Sequence, residues 1–218
     1  MSNIAILGAG AVGTALAQNW SSKGHAVTLA VRDTGSASAE SARAQLGARV
    51  PVLGFDEAIP GAEIIVIALP WAAVAQVLPS LQGLDGKIVI DATNPLGMGA
   101  DGFGLVLGHT TSGGEEVARL LPGARVVKSL NQIGAEIMAD PSALGAPPVM
   151  FVAGDDDAAR ATVLALVQDL GFDAQDFGPL KGARLLEAFA MTWIHMAIVR
   201  KAGRAWGFAR SLGKGADA

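Results

Sequence analysis

The chain has 218 residues, of which 51% are hydrophobic and 17% are charged, and its formal net charge is −4. This composition favours a packed core over disorder, and the lack of basic runs argues against a nucleic-acid partner. The absence of cysteine excludes disulfides, thiolate catalysis and cysteine-based metal sites.

Short, nearly continuous apolar runs alternate with helix-like segments along the chain. Strands are predicted at 3–7, 26–31, 63–69, 87–92, 125–130 and 149–154, with 49–53 as a weaker candidate containing Pro51. Helices are predicted at 11–23, 38–46, 71–82, 114–121, 156–170 and 180–203. This alternation predicts an α/β fold, a Rossmann-type doubly wound parallel sheet with a small C-terminal α/β part.

A glycine-rich turn follows the first predicted strand and opens the first predicted helix. Gly8, Gly10 and Gly13 form the pattern G-x-G-x-x-G, with Ala11 and Val12 at the helix start. The pattern alone is weak, but a strand before it and a helix after it are typical of a dinucleotide-binding loop. Free N–H groups at the helix N-terminus would then hold the pyrophosphate.

The tip of the second predicted strand indicates which dinucleotide binds. NAD-preferring folds usually place an acidic residue there, on the ribose hydroxyls. Here Arg32 comes first, and a guanidinium suits the 2′-phosphate of NADP. Asp33 follows directly, and it would repel that phosphate if it pointed at the ribose. The sequence therefore predicts NADP as the cofactor and leaves open whether Asp33 weakens the preference.

Several motifs occur in an order that resembles a known family. They are "ILGAGAVG" at 6–13, "ALPW" at 68–71, "DATNPL" at 91–96, "VVKSLNQIGA" at 126–135 and "DFGPLKGARLLE" at 176–187. The chain resembles the deazaflavin-dependent NADP oxidoreductases, whose fold also forms the cytosolic domain of six-transmembrane metalloreductases. The resemblance implies hydride transfer between NADPH and a deazaflavin or flavin-like acceptor in a shallow cleft, and a dimeric protein.

The resemblance also implies roles for residues beyond the ends of the strands. Cofactor contacts would come from Leu69, Pro70, Asn94 and Pro95, in addition to the glycine loop and Arg32. The acceptor would be bound by Ser129, Asn131, Gly178, Pro179 and Leu180. No residue is a certain catalyst; the candidates bordering the hydride-transfer cleft are Pro70, Trp71, Asn94 and Asn131. From the residues alone, Asn94 fits a turn before Pro95 equally well, and Trp71 fits a core position at a helix start.

The predicted organisation has three parts. Residues 1–145 form an NADP-binding Rossmann domain, 146–210 a small acceptor-pocket and dimerisation part, and 211–218 a flexible tail. The glycine-rich segment 95–108 is predicted to be a long loop that walls or covers the site.

The segment 185–199 is apolar nearly all round a helix, yet shorter than the roughly 20 residues that span a bilayer. We expect it to pair with a second copy in a homodimer rather than with a membrane, and His195 within it to be buried beside a neighbour.

Other functions remain open at this stage. An imine or 3-hydroxyacid dehydrogenase-like reductase shares the N-terminal features, and a non-catalytic NADPH-sensing protein would need only the cofactor site. No His, Asp and Glu cluster has metal-ligand spacing, so no metal is predicted. A chain without cysteine or an N-terminal signal pattern is expected in the cytoplasm.

Overall fold

A computed structural model describes residues 1–100 and 102–213. Its strands are β1 (Asn3–Leu7), β2 (Ala26–Val31), β3 (Val52–Gly54), β4 (Ile64–Ile67), β5 (Ile88–Asp91), β6 (Leu96–Gly99), β7 (Gly102–Leu105), β8 (Arg125–Lys128), β9 (Val149–Gly154) and β10 (Asp173–Asp176). Eight of them form a central sheet with the order β10-β9-β8-β5-β4-β1-β2-β3, and β6 and β7 form a separate two-stranded hairpin. The predicted α/β class with a mostly parallel sheet is confirmed.

Helices cover both faces of the sheet, which explains why its strands are apolar without alternation. In β1, Ile4 and Ile6 join the core cluster on one face, while Ala5 and Leu7 join the cluster on the other. The helices are α1 (Ala11–Ser22), α2 (Ala37–Leu46), α3 (Phe55–Ala58), α4 (Trp71–Val77), α5 (Gly113–Leu120), α6 (Ala135–Ala139), α7 (Asp157–Leu170) and α8 (Ala183–Ile194).

The last two strands, β9 and β10, run in the direction opposite to the other six strands of the sheet. β9 pairs antiparallel with β8, and β10 pairs parallel with β9, whereas β3, β2, β1, β4, β5 and β8 all run parallel. The C-terminal strands therefore extend the same sheet, and their carboxyl ends lie at the edge opposite to those of the other strands. β10 was not predicted, because its sequence Asp-Ala-Gln-Asp has no apolar pattern and lies at an exposed sheet edge.

The glycine-rich segment predicted as a loop contains a hairpin instead, so that prediction is wrong. β6 and β7 pair antiparallel, with Leu96 opposite Leu105 and Met98 opposite Phe103. Four glycines, at 97, 99, 102 and 104, occupy the alternate positions. Apolar residues alternate with glycine at every second position, as expected of a strand. Glycine is not a typical strand residue, so the hydrophobic pattern alone did not indicate strands here.

The long C-terminal helix is shorter and more exposed than predicted. α8 ends at Ile194 and continues as one π-helical turn, His195–Val199. Leu185, Met196, Ile198 and Val199 are exposed, and so is His195, which was expected to be buried. No helix within the described residues has the length and apolarity needed to cross a membrane. Residues 214–218 of the predicted tail lie outside the described residues.

Candidate functional site

The parallel strands β2, β1 and β4 end at one edge of the sheet, and an open cleft of about 690 Å³ lies there. Ligands of open parallel sheets bind beyond the carboxyl ends of the strands. The cleft contains seven residues that the sequence assigned to the cofactor: Gly8, Gly10, Ala11, Val12, Arg32, Leu69 and Pro70. It also contains residues that the sequence analysis did not assign, including Ser36, Ser38, Phe55, Ala73 and Val77.

The three glycines of the loop are required for three different reasons. Gly8 has a φ of +116°, and a Cβ there would lie 2.6 Å from the carbonyl oxygen of Ala68. Gly13 is buried in α1, and its Cβ would lie 2.0 Å from the carbonyl oxygen of Gly8. Gly13 therefore acts by packing the helix against the loop. A Cβ on Gly10 would meet nothing within 4 Å and would extend into the cleft, so glycine here leaves the space beside the start of α1 open.

The tip of β2 carries a free cation and an engaged carboxylate. Within the described residues, the exposed Arg32 guanidinium forms no salt bridge or hydrogen bond. Asp33 instead accepts a hydrogen bond at Oδ1 from the backbone N–H of Gly35, 2.9 Å away. Ser36 caps α2 by accepting a bond from the N–H of Ala39. One oxygen of the Asp33 carboxylate is thus held by the turn, whereas the Arg32 guanidinium is available to a ligand.

Beyond β4 the chain turns through Pro70 into α4, and Trp71 is the first residue of that helix. The Trp71 ring packs over the start of α5: its Cζ3 atom lies 3.1 Å from the position of a Cβ on Gly113. Cδ of Pro95 lies 3.4 Å from the same point, and Oε1 of Glu187 lies 3.0 Å from it. Gly113 therefore lets the tryptophan, the loop after β5 and α8 meet closely.

The two predicted asparagines at the strand tips are brought together. Nδ2 of Asn94 donates to the carbonyl oxygen of Asn131 at 2.8 Å, and Nδ2 of Asn131 donates to Oδ1 of Asn94 at 2.9 Å. Asn131 also donates to the carbonyl oxygen of Leu186 in α8 at 3.4 Å. The two amides fix the ends of β5 and β8 relative to each other. Neither asparagine lines the open cleft, so their cofactor and acceptor roles stay predictions.

A buried ion cluster lies directly behind these strand tips. The ammonium of Lys128 is 2.8 Å from Oδ2 of Asp91, 2.8 Å from Oε1 of Glu187 and 2.6 Å from the carbonyl oxygen of Thr93. The side chains of Lys128, Asp91 and Glu187 are at most 1% exposed. Burial lowers the pKa of Lys128, but the two carboxylates outweigh that effect and raise it overall. The lysine is therefore charged at neutral pH.

Glu187 also closes the amino end of α5. Its two carboxylate oxygens accept hydrogen bonds from the backbone N–H groups of Gly113, at 2.9 Å, and Gly114, at 3.0 Å. The sequence analysis missed this cluster, although it contained a signal. A lysine inside an apolar strand and a glutamate inside an apolar helix each need a buried partner. Together with Asp91 at the end of another apolar strand, they can pair with one another.

Other predicted acceptor residues do not line the cleft. Ser129 is fully buried and donates to the carbonyl oxygen of Phe151. Leu180 is buried in the core cluster against the start of α5. The carbonyl oxygen of Gly178 accepts a hydrogen bond from the N–H of Gly154, which pairs with Val127 near the end of β8. The proposed contacts of these residues and of Pro179 with an acceptor stay predictions.

Comparisons with known proteins identify the family of the chain. A family model described as "NADP oxidoreductase coenzyme F420-dependent" matches residues 3–95. A crystal structure from Arthrobacter sp. FB24, described as a candidate F420-dependent NADP-reductase, has 30% sequence identity and a TM-score of 0.87, and the match covers 97% of this chain and 100% of that one. The chain belongs to this family. Coenzyme F420 is a deazaflavin, so membership agrees with the resemblance seen in the motifs.

Two curated relatives are longer proteins. Glycerol-3-phosphate dehydrogenase (NAD(P)+) of Azotobacter vinelandii is 31% identical over 224 residues, which cover 97% of this chain and 59% of that enzyme. Metalloreductase STEAP3 of Rattus norvegicus is 28% identical over 188 residues, which cover 86% of this chain and 36% of that protein. The chain therefore spans 59% and 36% of the lengths of these relatives.

Proposed function

We propose that the chain binds NADP(H) in the cleft and catalyses hydride transfer between the nicotinamide and a deazaflavin or flavin-like acceptor. The main support for this proposal is the open space beside Gly10. This residue stands at the N-terminus of a twelve-residue helix, inside the cleft, with nothing within 4 Å of the place where a Cβ would be. A pyrophosphate needs such a place, because it must approach backbone N–H groups closely.

The rest of the cleft fits the two ends of a dinucleotide. At the β2 end, Arg32 would bind a 2′-phosphate through charge-assisted bonds, with the hydroxyls of Ser36 and Ser38 beside it. Asp33 also lines the cleft, and only its Oδ1 is held in the turn by the N–H of Gly35, so the attraction of Arg32 for the phosphate would have to outweigh repulsion by this carboxylate. At the β4 end, Leu69 and Pro70 would border the nicotinamide ribose and ring. These features favour NADP over NAD.

The chain's own residues would contribute position rather than acid or base. When bound, the nicotinamide supplies the hydride or takes it up, and that reaction needs two ring carbons held in line more than a proton donor. Pro70 lines the cleft, and Trp71 follows it at the start of α4. Because the tryptophan is packed against α5 and α8, Pro70 and Trp71 would orient a flat ring and exclude water from one side of it. The Asn94–Asn131 pair does not line the cleft and would act by fixing the ends of β5 and β8.

We also propose that the active protein is a homodimer. The exposed apolar residues of α8 and its π-helical turn are Leu185, Met196, Ile198 and Val199. α8 contacts β7 of the hairpin, which itself exposes Met98 and Phe103. A second copy of the chain presents the same apolar surface and would cover it.

A panel of acceptors tests the proposed reaction. NADPH oxidation is followed by its absorbance after mixing with coenzyme F420, with FMN or with a cyclic imine. Oxidation with F420 or FMN, and none with the imine, supports the proposal. Oxidation with the imine alone assigns the chain to the imine reductases. Tight NADPH binding without oxidation by any of the three identifies a cofactor-sensing protein and overturns the proposal.

A further inference from the structure

We propose that Glu187 is a positioning residue for hydride transfer, which acts through Lys128 and α5 to hold the Asn94–Asn131 amide pair in its productive arrangement. The proposal rests on the proposed function for its kinetic consequence. Its structural consequence, the fixed geometry of the two amides, does not depend on which acceptor the protein uses.

The cluster ties together the two strand tips that carry the amides. Asp91 is the last residue of β5, three positions before Asn94, and Lys128 is the last residue of β8, three positions before Asn131. The Lys128–Asp91 ion pair therefore sets the spacing of the two strand ends. The second lysine contact, to the carbonyl oxygen of Thr93, reaches the residue directly before Asn94.

The backbone between Lys128 and Asn131 is strained. Leu130 is fully buried and has a φ of +59°. A non-glycine residue in this left-handed region is strained and persists only where its surroundings hold it. Such strain is concentrated at functional sites. Here it lets the chain reverse after β8, so that Asn131 faces Asn94 rather than continuing the strand.

Glu187 connects this strained turn to the helices. Its carboxylate receives Lys128 from one side and the N–H groups of Gly113 and Gly114 from the other. The neighbouring residue in α8, Leu186, accepts a hydrogen bond at its carbonyl oxygen from Nδ2 of Asn131. A shift of α8 at this point would therefore move the amide of Asn131 directly.

Only a carboxylate satisfies the hydrogen bonds at this position. All three groups that face Glu187 are donors: one ammonium and two backbone N–H groups. A glutamine would turn its NH₂ group towards at least one of them, and two donors repel each other in a buried site. Glu187→Gln changes no volume, so it tests the carboxylate without creating a cavity.

The matched control is Glu115→Gln. Glu115 also joins α5 to α8, because it forms an ion pair with Arg184 at 2.7 Å, but this pair is partly exposed and does not touch the strand tips. Glu187→Asp is measured in parallel. It keeps both acceptor oxygens and shortens the side chain by one methylene, so it carries the test if the glutamine variant does not fold.

Three quantities are measured for each variant: the rate of hydride transfer in a single turnover, the Kd for NADPH, and the side-chain amide NMR signals of Asn94 and Asn131 without cofactor. For Glu187→Gln we expect the rate to fall about ten- to hundredfold, the loss typical of a displacement of about 1 Å near the reacting atoms. We expect the Kd to stay within about twofold, because the phosphate loop is untouched. The two amide signals should shift or broaden, and Glu187→Asp should show a smaller loss of rate. Glu115→Gln should behave as wild type.

An unchanged rate and unchanged amide signals in Glu187→Gln would overturn the proposal. So would equal losses in Glu115→Gln, or a loss of NADPH binding as large as the loss of rate. If the wild-type protein transfers no hydride to any acceptor, the proposed function fails. The amide signals then decide the positioning role by themselves.

Discussion

Two alanine substitutions in the glycine loop separate binding from folding. Gly10 and Gly13 lie three residues apart and belong to one motif, but the structure gives them opposite surroundings. A Cβ on Gly10 would project into the open cleft, and a Cβ on Gly13 would lie 2.0 Å from the carbonyl oxygen of Gly8. We therefore expect Gly10→Ala to lose cofactor and keep its stability, and Gly13→Ala to lose stability first.

The magnitudes follow from these contacts. Gly10 has φ −81° and ψ −175°, which alanine adopts without strain, so the cost to folding should stay below about 1 kcal/mol. Losing one hydrogen bond between the loop and a charged phosphate costs about 1.5–3 kcal/mol, which weakens NADPH binding roughly 10- to 150-fold. Gly13→Ala would normally gain about 0.8–1 kcal/mol inside a helix. Its overlap with Gly8 should instead cost about 1–3 kcal/mol, a fall in Tm of about 2–12 °C.

The assay is a fluorescence titration with NADPH beside a thermal melt for each variant. The reasoning is refuted if Gly10→Ala binds NADPH as tightly as wild type. It is also refuted if Gly13→Ala melts at or above the wild-type temperature, because the loop and helix would then not be packed as described.

The remaining predictions concern the cofactor, the dimer and acid stability. Arg32→Ala should weaken NADPH binding by about 1.5–3 kcal/mol and leave NADH binding nearly unchanged; equal losses in titrations with both would remove the 2′-phosphate role. Ile198→Glu should give a protein that is monomeric by light scattering and still binds NADPH. Ile194 is less suitable for this test because it is only 9% exposed, and a glutamate there would damage the core. A monomeric wild-type protein at micromolar concentration would refute the dimer. The hydrogen bond from Arg210 is the main cause that lowers the pKa of Asp173 in the folded protein. The pair should therefore stabilise the fold above about pH 3.9, the ordinary pKa of an unfolded aspartate. This stabilisation should be lost as the pH falls through the lower pKa of the folded state. Urea titrations of wild type and Asp173→Asn should therefore converge in acid, and a constant difference between them would contradict the assignment.

The sequence predicts most of the fold because burial on both faces leaves a strong pattern. β1, β2 and β9 begin and end where their apolar runs do. β3 forms at the sheet edge, directly after Pro51, where the missing N–H has least effect. Among the strands, β10 and the two strands of the hairpin escaped prediction because their side chains give no apolar pattern, and the short helices α3 and α6 were not predicted either. β10 is polar and lies at the other edge, and the hairpin alternates apolar residues with glycine.

One half of the candidate site could be predicted because its residues are close in the sequence. The glycine loop, the start of α1 and Arg32 at the tip of β2 all belong to the first β-α-β unit of the chain. The other half depends on contacts between distant segments. Nothing in the local sequence says that Lys128 meets Glu187, 59 positions later, or that β9 pairs antiparallel with β8. Buried charges in apolar runs are the one local sign of such contacts.

The central claim is that hydride passes between NADPH and a deazaflavin held at the strand ends. The most direct measurement uses NADPH deuterated at C4 of the nicotinamide and follows the label into coenzyme F420 by mass spectrometry. The account predicts that wild-type protein transfers the deuterium to the deazaflavin in one turnover, and that Gly10→Ala does so only at raised NADPH concentration. Reduced F420 without deuterium from either C4 position, or no reduced F420 at saturating NADPH, would contradict it.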